Sequence, residues 1–334
     1  MPTSGAAIRW PHGRKFAVTI IDDTDGARLD KIRRVYDVIA GAGLRTTKTV
    51  WPLEPQGAWA IGGDSLENAA YARWVRELKD SGFEIAMHGA SDGASTREHV
   101  VKALNRFADE LGADPVIHVN HDGQTEALYW GQARLDAPWS WAYSAYRLAR
   151  PWRVQSLGHV AGSEHFWGDL CHNRIRFVRN FVWPQYNTTR TDPYMPYYDP
   201  KRPYVRHWFS SSYGAGVDSF CQLLSEENQD RLAEEGGACI VYSHLSAFHP
   251  VPARFETLLG RLGRMNGWFP TATELLEYVG HQRGWVDIGR HPWGRRRMQA
   301  HWLLSGAMRK FSRGKPGPRG PNRREDYAKI GSHG

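Results

Sequence analysis

Cysteine is scarce in this chain: Cys171, Cys221 and Cys239 are the only three in 334 residues. Their odd number and the lack of a Cys-x-x-Cys spacing argue against a disulfide framework and a thiolate zinc site, and a reducing compartment is the expectation. Long apolar runs are lacking too. No stretch approaches the ~20 residues of a membrane helix, and the one early run, Phe16 to Ile21, is too short for a signal-peptide core and ends in acid. We therefore expect a cytoplasmic protein, free or associated with the membrane surface. No internal repeat and no Gly-x-Gly-x-x-Gly turn is present, which argues against a solenoid and a dinucleotide fold. Excess charge is missing from most of the chain. Residues 290–334 hold 12 Lys and Arg against Glu325 and Asp326, which leaves 31 basic and 33 acidic side chains for residues 1–289. The net charge of +8 therefore belongs to a basic tail, and the body is not expected to bind nucleic acid.

What is present begins with Phe16–Gly26, FAVTIIDDTDG. Its apolar, β-branched start reads as a buried parallel strand, and Asp22, Asp23 and Asp25 gather at its C-terminal end. In α/β folds that end is where ligands and catalytic groups collect. One aspartate there would be ordinary turn or cap chemistry, but three crowded carboxylates call for a cation or a proton. A calcium loop does not fit, because aligning Gly26 with its glycine puts Ile21 and Ile32 at ligand positions.

Strand and helix patterns then alternate. A helix is expected from Leu29, stopped by Gly41 and Gly43, then a strand over 44–51. A helix opened in capping-box fashion by Asp64-Ser65-Leu66-Glu67 precedes a strand over 83–87 that ends at His88. Ser95-Thr96-Arg97-Glu98 opens another helix, and a fourth strand covers 115–119. This rhythm predicts parallel strands with right-handed crossovers and, most simply, a (β/α) barrel. Residues 124–236 are crowded with Trp, Tyr and Pro and read as an insertion of undetermined secondary structure. Regularity returns with a strand over 238–242 ending in Ser243-His244, followed by helices over 252–265 and 271–281. The reading is one barrel over 1–284 and a basic, partly amphipathic, disordered tail over 285–334, whose Gly314–Pro321 stretch cannot build a core. Within the tail, His301, Leu304, Met308 and Phe311 share a helical face amid Arg296, Arg297, Arg309 and Lys310, a pattern suited to peripheral contact with an anionic membrane.

A barrel would bring Asp22, Asp23 and Asp25, the segment His88 to Asp92, and His244 to one rim. This set resembles the polysaccharide deacetylase family, also called the NodB-homology or carbohydrate esterase 4 family. The resemblance spans roughly residues 14–283. It implies a distorted (β/α)7 barrel of the glycoside hydrolase/deacetylase type and a metal-dependent hydrolase that removes an acyl group, by expectation acetyl, from an amino sugar of a glycan or glycan precursor. Ile21-Asp22-Asp23 resembles the family's strand end, where the first Asp is the base and the second a metal ligand, so the resemblance assigns base to Asp22 and ligand to Asp23. Glu84-Ile85-Ala86-Met87-His88 resembles the family's histidine motif, with Asp92 where the second histidine stands. The implied ligand set is Asp23, His88 and Asp92 on a divalent ion, Zn2+ first. Divergent members show Asp-x-Asp and His-Gly-Ser patterns similar to Asp23-Thr24-Asp25 and His88-Gly89-Ala90-Ser91, which leaves Asp25 and Ser91 open as the third ligand.

The family's Arg-x-Pro motif is absent, and Ile117–Gly123, with His118 and His121, stands at that strand end. Tyr242-Ser243-His244 is similar to the Leu-x-His motif and makes His244 the general acid, with His118 and His121 as alternatives. Gly267–Leu275 is similar to the family's closing segment. Two other readings remain open, a barrel that binds glycans without turnover and a hydrolase of a non-sugar amide.

Overall fold

The structure, a computed structural model, describes residues 8–57, 61–148 and 155–312. Ten strands are present among these: β1 (Phe16–Asp22), β2 (Thr47–Val50), β3 (Glu84–Met87), β4 (Ile117–His118), β5 (Phe177–Trp183), β6 (Tyr197–Tyr198), β7 (His207–Tyr213), β8 (Ala238–Ser243), β9 (Gly267–Trp268) and β10 (Val286–Asp287). Seven close a parallel barrel in the order β1-β2-β3-β4-β5-β7-β8, and β8 returns to β1 through six register pairs from Ala17↔Ala238 to Asp22↔Ser243. All seven residues of β1 are buried, because a barrel strand has neighbours on both faces. This is the expected (β/α)7 architecture. β6 and β10 extend the sheet beyond β7, and β9 adds to β1.

Helices cover the outside with amphipathic faces. Leu29–Gly41 buries Ile32, Val35, Tyr36 and Ile39 at the spacing expected of an inward stripe. The helix anticipated after Asp64 starts later, at Ala69, with Asn68 as its cap. Asp64 is spent elsewhere: its Oδ2 accepts the N–H of Leu29 and so caps the preceding helix. Thr96, not Ser95, caps Arg97–Leu111.

The crowded middle supplies β5 and β7, two barrel walls, and helices over 139–148, 168–174 and 217–223. The expectation of disorder from residue 285 onward is corrected over 286–312, which form β10 and the helix Pro292–Ser312 docked on the barrel. Its Arg295 is buried and reaches Asp136 at 2.8 Å and Asp199 at 3.0 Å, and Arg202 joins the same two carboxylates. The Gly314–Pro321 stretch, and Met308, Phe311, Arg309 and Lys310 as side chains, lie outside what is described. Among the described residues, no helix is long and apolar enough to cross a membrane.

Candidate metal centre

Successive strand residues point to opposite faces, and this separates the first two aspartates. Asp22 pairs in register with Lys48 of β2 and faces the helix layer. Its Oδ2 lies 3.1 Å from Lys48 Nζ and accepts the Tyr36 hydroxyl at 3.0 Å, while Oδ1 accepts the N–H of Leu245 at 2.8 Å. Burial pushes the Asp22 carboxyl up against the pull of Lys48, and Asp22 holds the Lys48 ammonium up against its own burial. Asp22, the expected base, thus has both oxygens engaged by Lys48, Tyr36 and Leu245.

Asp23 points inward. Arg179 of β5 grips it bidentately, Nη1 to Oδ1 at 2.8 Å and Nη2 to Oδ2 at 2.5 Å, and the guanidinium lies over the Tyr242 ring. Asp23 Oδ2 is 3.9 Å from His88 Nε2. It therefore flanks the histidine without being its nearest carboxylate.

That place belongs to Asp25. Its Oδ1 lies 3.1 Å from His88 Nε2 and 3.3 Å from His121 Nε2, and its Oδ2 lies 3.2 Å from His244 Nε2. Burial raises the Asp25 carboxyl, but the charge of His88 and the hydrogen bonds of His121, His244 and His88 outweigh it and hold the group far below the usual range. Burial likewise lowers His121 and His244, and the bond to Asp25 reverses the sign in each, so both end above the ordinary imidazole value.

The local backbone explains the convergence. His88 directly follows β3, and Gly89 comes next with φ +75°, where a Cβ would meet Gln124 Oε1 at 2.8 Å. Glycine lets the chain turn there and lets Gln124 donate to the Ser91 carbonyl at 2.6 Å. Trp51 stacks on His88 at 6.4 Å and meets His121 edge-on at 6.2 Å, and the two imidazole centroids are 5.2 Å apart. Each Nδ1 is buried without a partner, so packing rather than a second hydrogen bond orients these imidazoles.

Asp92, expected as a ligand, is turned to another task. Its Oδ2 accepts the N–H groups of Ile61 at 2.7 Å and Gly62 at 2.8 Å, and it pins that loop beside the rim. Burial pushes its carboxyl up, against those two N–H groups. Ser91 is buried with its hydroxyl near the Gly93 carbonyl, outside the cluster. His118 bonds Asn120 at 3.3 Å, and burial drops it to about 3. His244 is the more open member, with 27% of its side chain exposed and its Nε2 also 3.1 Å from the Tyr242 hydroxyl.

Ligand atoms of Asp25, His88 and His121 all lie within 4.8 Å of one another. Tetrahedral ligands at ~2.0 to 2.1 Å from zinc stand ~3.3 Å apart, close to the separations seen from Asp25 Oδ1 to the two imidazoles. The donor set fits a borderline divalent ion such as zinc, iron, cobalt or nickel. His121 was foreshadowed only by its position after a strand end. Arg179 had no sharper signal than one cation inside an apolar run.

No protein-family model matches the chain, and no curated protein sequence does. Solved structures do. One named as a polysaccharide deacetylase from Mycobacterium smegmatis superposes with a TM-score of 0.53 at 13% identity, covering 85% of this chain and 96% of its own. The chain has the polysaccharide deacetylase fold. A PuuE allantoinase (TM-score 0.47, 12% identity, 84% and 95% coverage) and a protein named as a polysaccharide deacetylase from Pseudomonas aeruginosa PAO1 (0.46, 14%, 84% and 96%) are more distant in shape.

Proposed function

We propose that this protein is a metal-dependent hydrolase that removes an N-acyl group, acetyl first, from an amino sugar of a glycan or glycan precursor. The observation that carries the reading is the convergence of Asp25, His88, His121 and His244 beside the Asp23–Arg179 pair at the strand-end rim of a deacetylase-type barrel. Asp25, His88 and His121 would hold the ion, with zinc favoured. A divalent cation in that donor set supplies polarisation of the acyl carbonyl and a more acidic water.

The chain's own groups then divide the proton work. Asp23, fixed by two hydrogen bonds from Arg179, faces the cluster and is placed to accept the proton of the attacking water. His244, raised by Asp25 and open to the mouth, is placed to protonate the departing amine nitrogen, which leaves poorly as an anion. This assigns the base to Asp23 rather than Asp22 and the ligand positions to Asp25 and His121 rather than Asp23 and Asp92.

The test is metal analysis of the purified protein together with acetate release from N-acetylglucosamine oligomers. About one metal per chain, and turnover lowered on the order of 100-fold by His244→Ala with metal retained, is expected. A chain that takes up no metal and releases no acetate would be a binding or scaffold barrel. Metal with turnover of simple amides only would mean a non-sugar substrate.

A further inference from the structure

The helix Pro292–Ser312 contains Arg295-Arg296-Arg297, and the fold treats these three unlike one another. Arg295 turns inward to Asp136 and Asp199, and Met298, Gln299 and Ser305 are buried on the same side. The opposite side is left in water: Trp293 is 75% and Leu304 63% exposed, with Arg296, Arg297 and His301 exposed beside them. At ~100° per residue, Trp293, Arg297 and Leu304 lie within ~40° of one another, so the apolar pair and an arginine form one stripe. The Arg296 guanidinium lies over the Trp293 ring at 5.6 Å. On the neighbouring helix Trp139–Leu148, joined by the Tyr143–Trp302 ring contact at 6.1 Å, Trp141 is 70% exposed. Half of the large apolar side chains left exposed among the described residues thus sit on these two touching helices.

We propose that this face of the C-terminal helix is a docking surface for an anionic lipid bilayer. Trp293 and Leu304 would enter the headgroup boundary, and Arg296 and Arg297 would meet lipid phosphates. Charge complementarity selects that occupant. Residues 290–334 hold 12 basic side chains against two acidic ones, whereas the rest of the chain is slightly acidic. Each cation near an anionic membrane strengthens the attraction to its phosphates, and an interfacial helix adds its buried apolar area. Exposed Trp flanked by Arg suits the headgroup layer, where an amphipathic ring and a cation are both satisfied. The helix also passes the rim that carries the candidate site, since His301 lies 5.0 Å from Trp183 at the end of β5. This proposal does not depend on the hydrolase reading.

The experiment is co-sedimentation of the full chain with phosphatidylcholine vesicles and with mixed phosphatidylglycerol–phosphatidylcholine vesicles. Binding to the mixed vesicles only, released at about 1 M salt, where the Debye length is ~3 Å, is expected. The double variant Trp293→Ser/Leu304→Ser leaves every charge in place and touches only exposed side chains. It should lower vesicle partition about tenfold or more, the loss of roughly one buried large side chain. Equal partition by that variant would mean that tail charge alone acts, and it would overturn the proposal. So would a wild-type chain that ignores both vesicles but binds an RNA homopolymer.

Discussion

Two adjacent aspartates part company because alternate side chains of a strand face opposite ways. Asp22 goes to the helix layer and Lys48, Asp23 to the barrel interior and Arg179, and the turn beyond the strand swings Asp25 onto three imidazoles. Asp25→Ala and His121→Ala should therefore abolish metal uptake, whereas Asp92→Ala should keep it and loosen the 61–62 loop instead. Metal content after dialysis reads this directly. Loss of metal in Asp92→Ala with retention in Asp25→Ala would return the ligand role to Asp92. The reading from motifs placed base and ligand on Asp22 and Asp23 because the family pattern is contiguous. Thr24 stands between the inward pair, with its N–H on Thr49 Oγ1 at 3.0 Å, so the two carboxylates that face the imidazoles are spaced Asp-x-Asp. A second prediction at this scale concerns Glu126, near His121. Burial raises its carboxyl to about 7 from 4.5, and its Oε1 is buried without a partner. Folded protein keeps that proton while the unfolded chain releases it near the ordinary value, so stability falls as pH rises between the two. Glu126→Gln should match wild type at about pH 4.5 and exceed it by up to ~3 kcal/mol at about pH 8 in urea unfolding of metal-free protein. A variant no more stable at the higher pH would show that the carboxyl ionises freely.

Among the elements, the strands that were readable are those with plain apolar runs. β1, β3 and β8 carry FAVTII, EIAM and ACIVY, and the helices between them show the 3.6-residue stripe. β5 and β7 were unreadable for a physical reason. FVRNFVW hides a buried arginine that is tolerated only because Asp23 faces it across the barrel, and HWFSSSY buries Ser210, Ser211 and Ser212 where an apolar run would be expected. Such long-range pairing leaves no local periodicity. The C-terminal helix was legible as amphipathic, but its docking was not, since Arg295 looks like its two neighbours until Asp136 and Asp199 are brought to it. Removing that cation leaves two buried carboxylates with less compensation. Arg295→Ala should cost about 3 to 5 kcal/mol locally and open the helix to hydrogen exchange and protease, with the barrel strands still protected. Unchanged protection over 292–305 would show that the aromatic contacts of Trp302 hold the helix unaided.

Across the whole molecule, one buried ion pair ties four elements together under the candidate site. Lys48 comes from β2, Asp22 from β1, Tyr36 from the first helix, and Leu245 from the turn after β8 that also presents His244. Lys48 is fully buried, and its ammonium donates also to the Thr49 carbonyl at 2.8 Å. Burying the two charges costs several kcal/mol each, and their attraction offsets this only while both are present. Lys48→Met and Asp22→Asn should therefore each destabilise by about 3 to 5 kcal/mol, because each strands one uncompensated charge. The double variant should lose much less than the sum, and a double-mutant cycle by urea unfolding gives the coupling. The same cycle separates structure from chemistry. If Asp22 serves only to hold the His244 turn, the folded double variant should keep metal and retain turnover within about tenfold of wild type, far from the losses typical of removing a proton-transfer group. Additive destabilisation would deny the pair its role as a tie. Turnover abolished in the folded, metal-loaded double variant would return the base to Asp22.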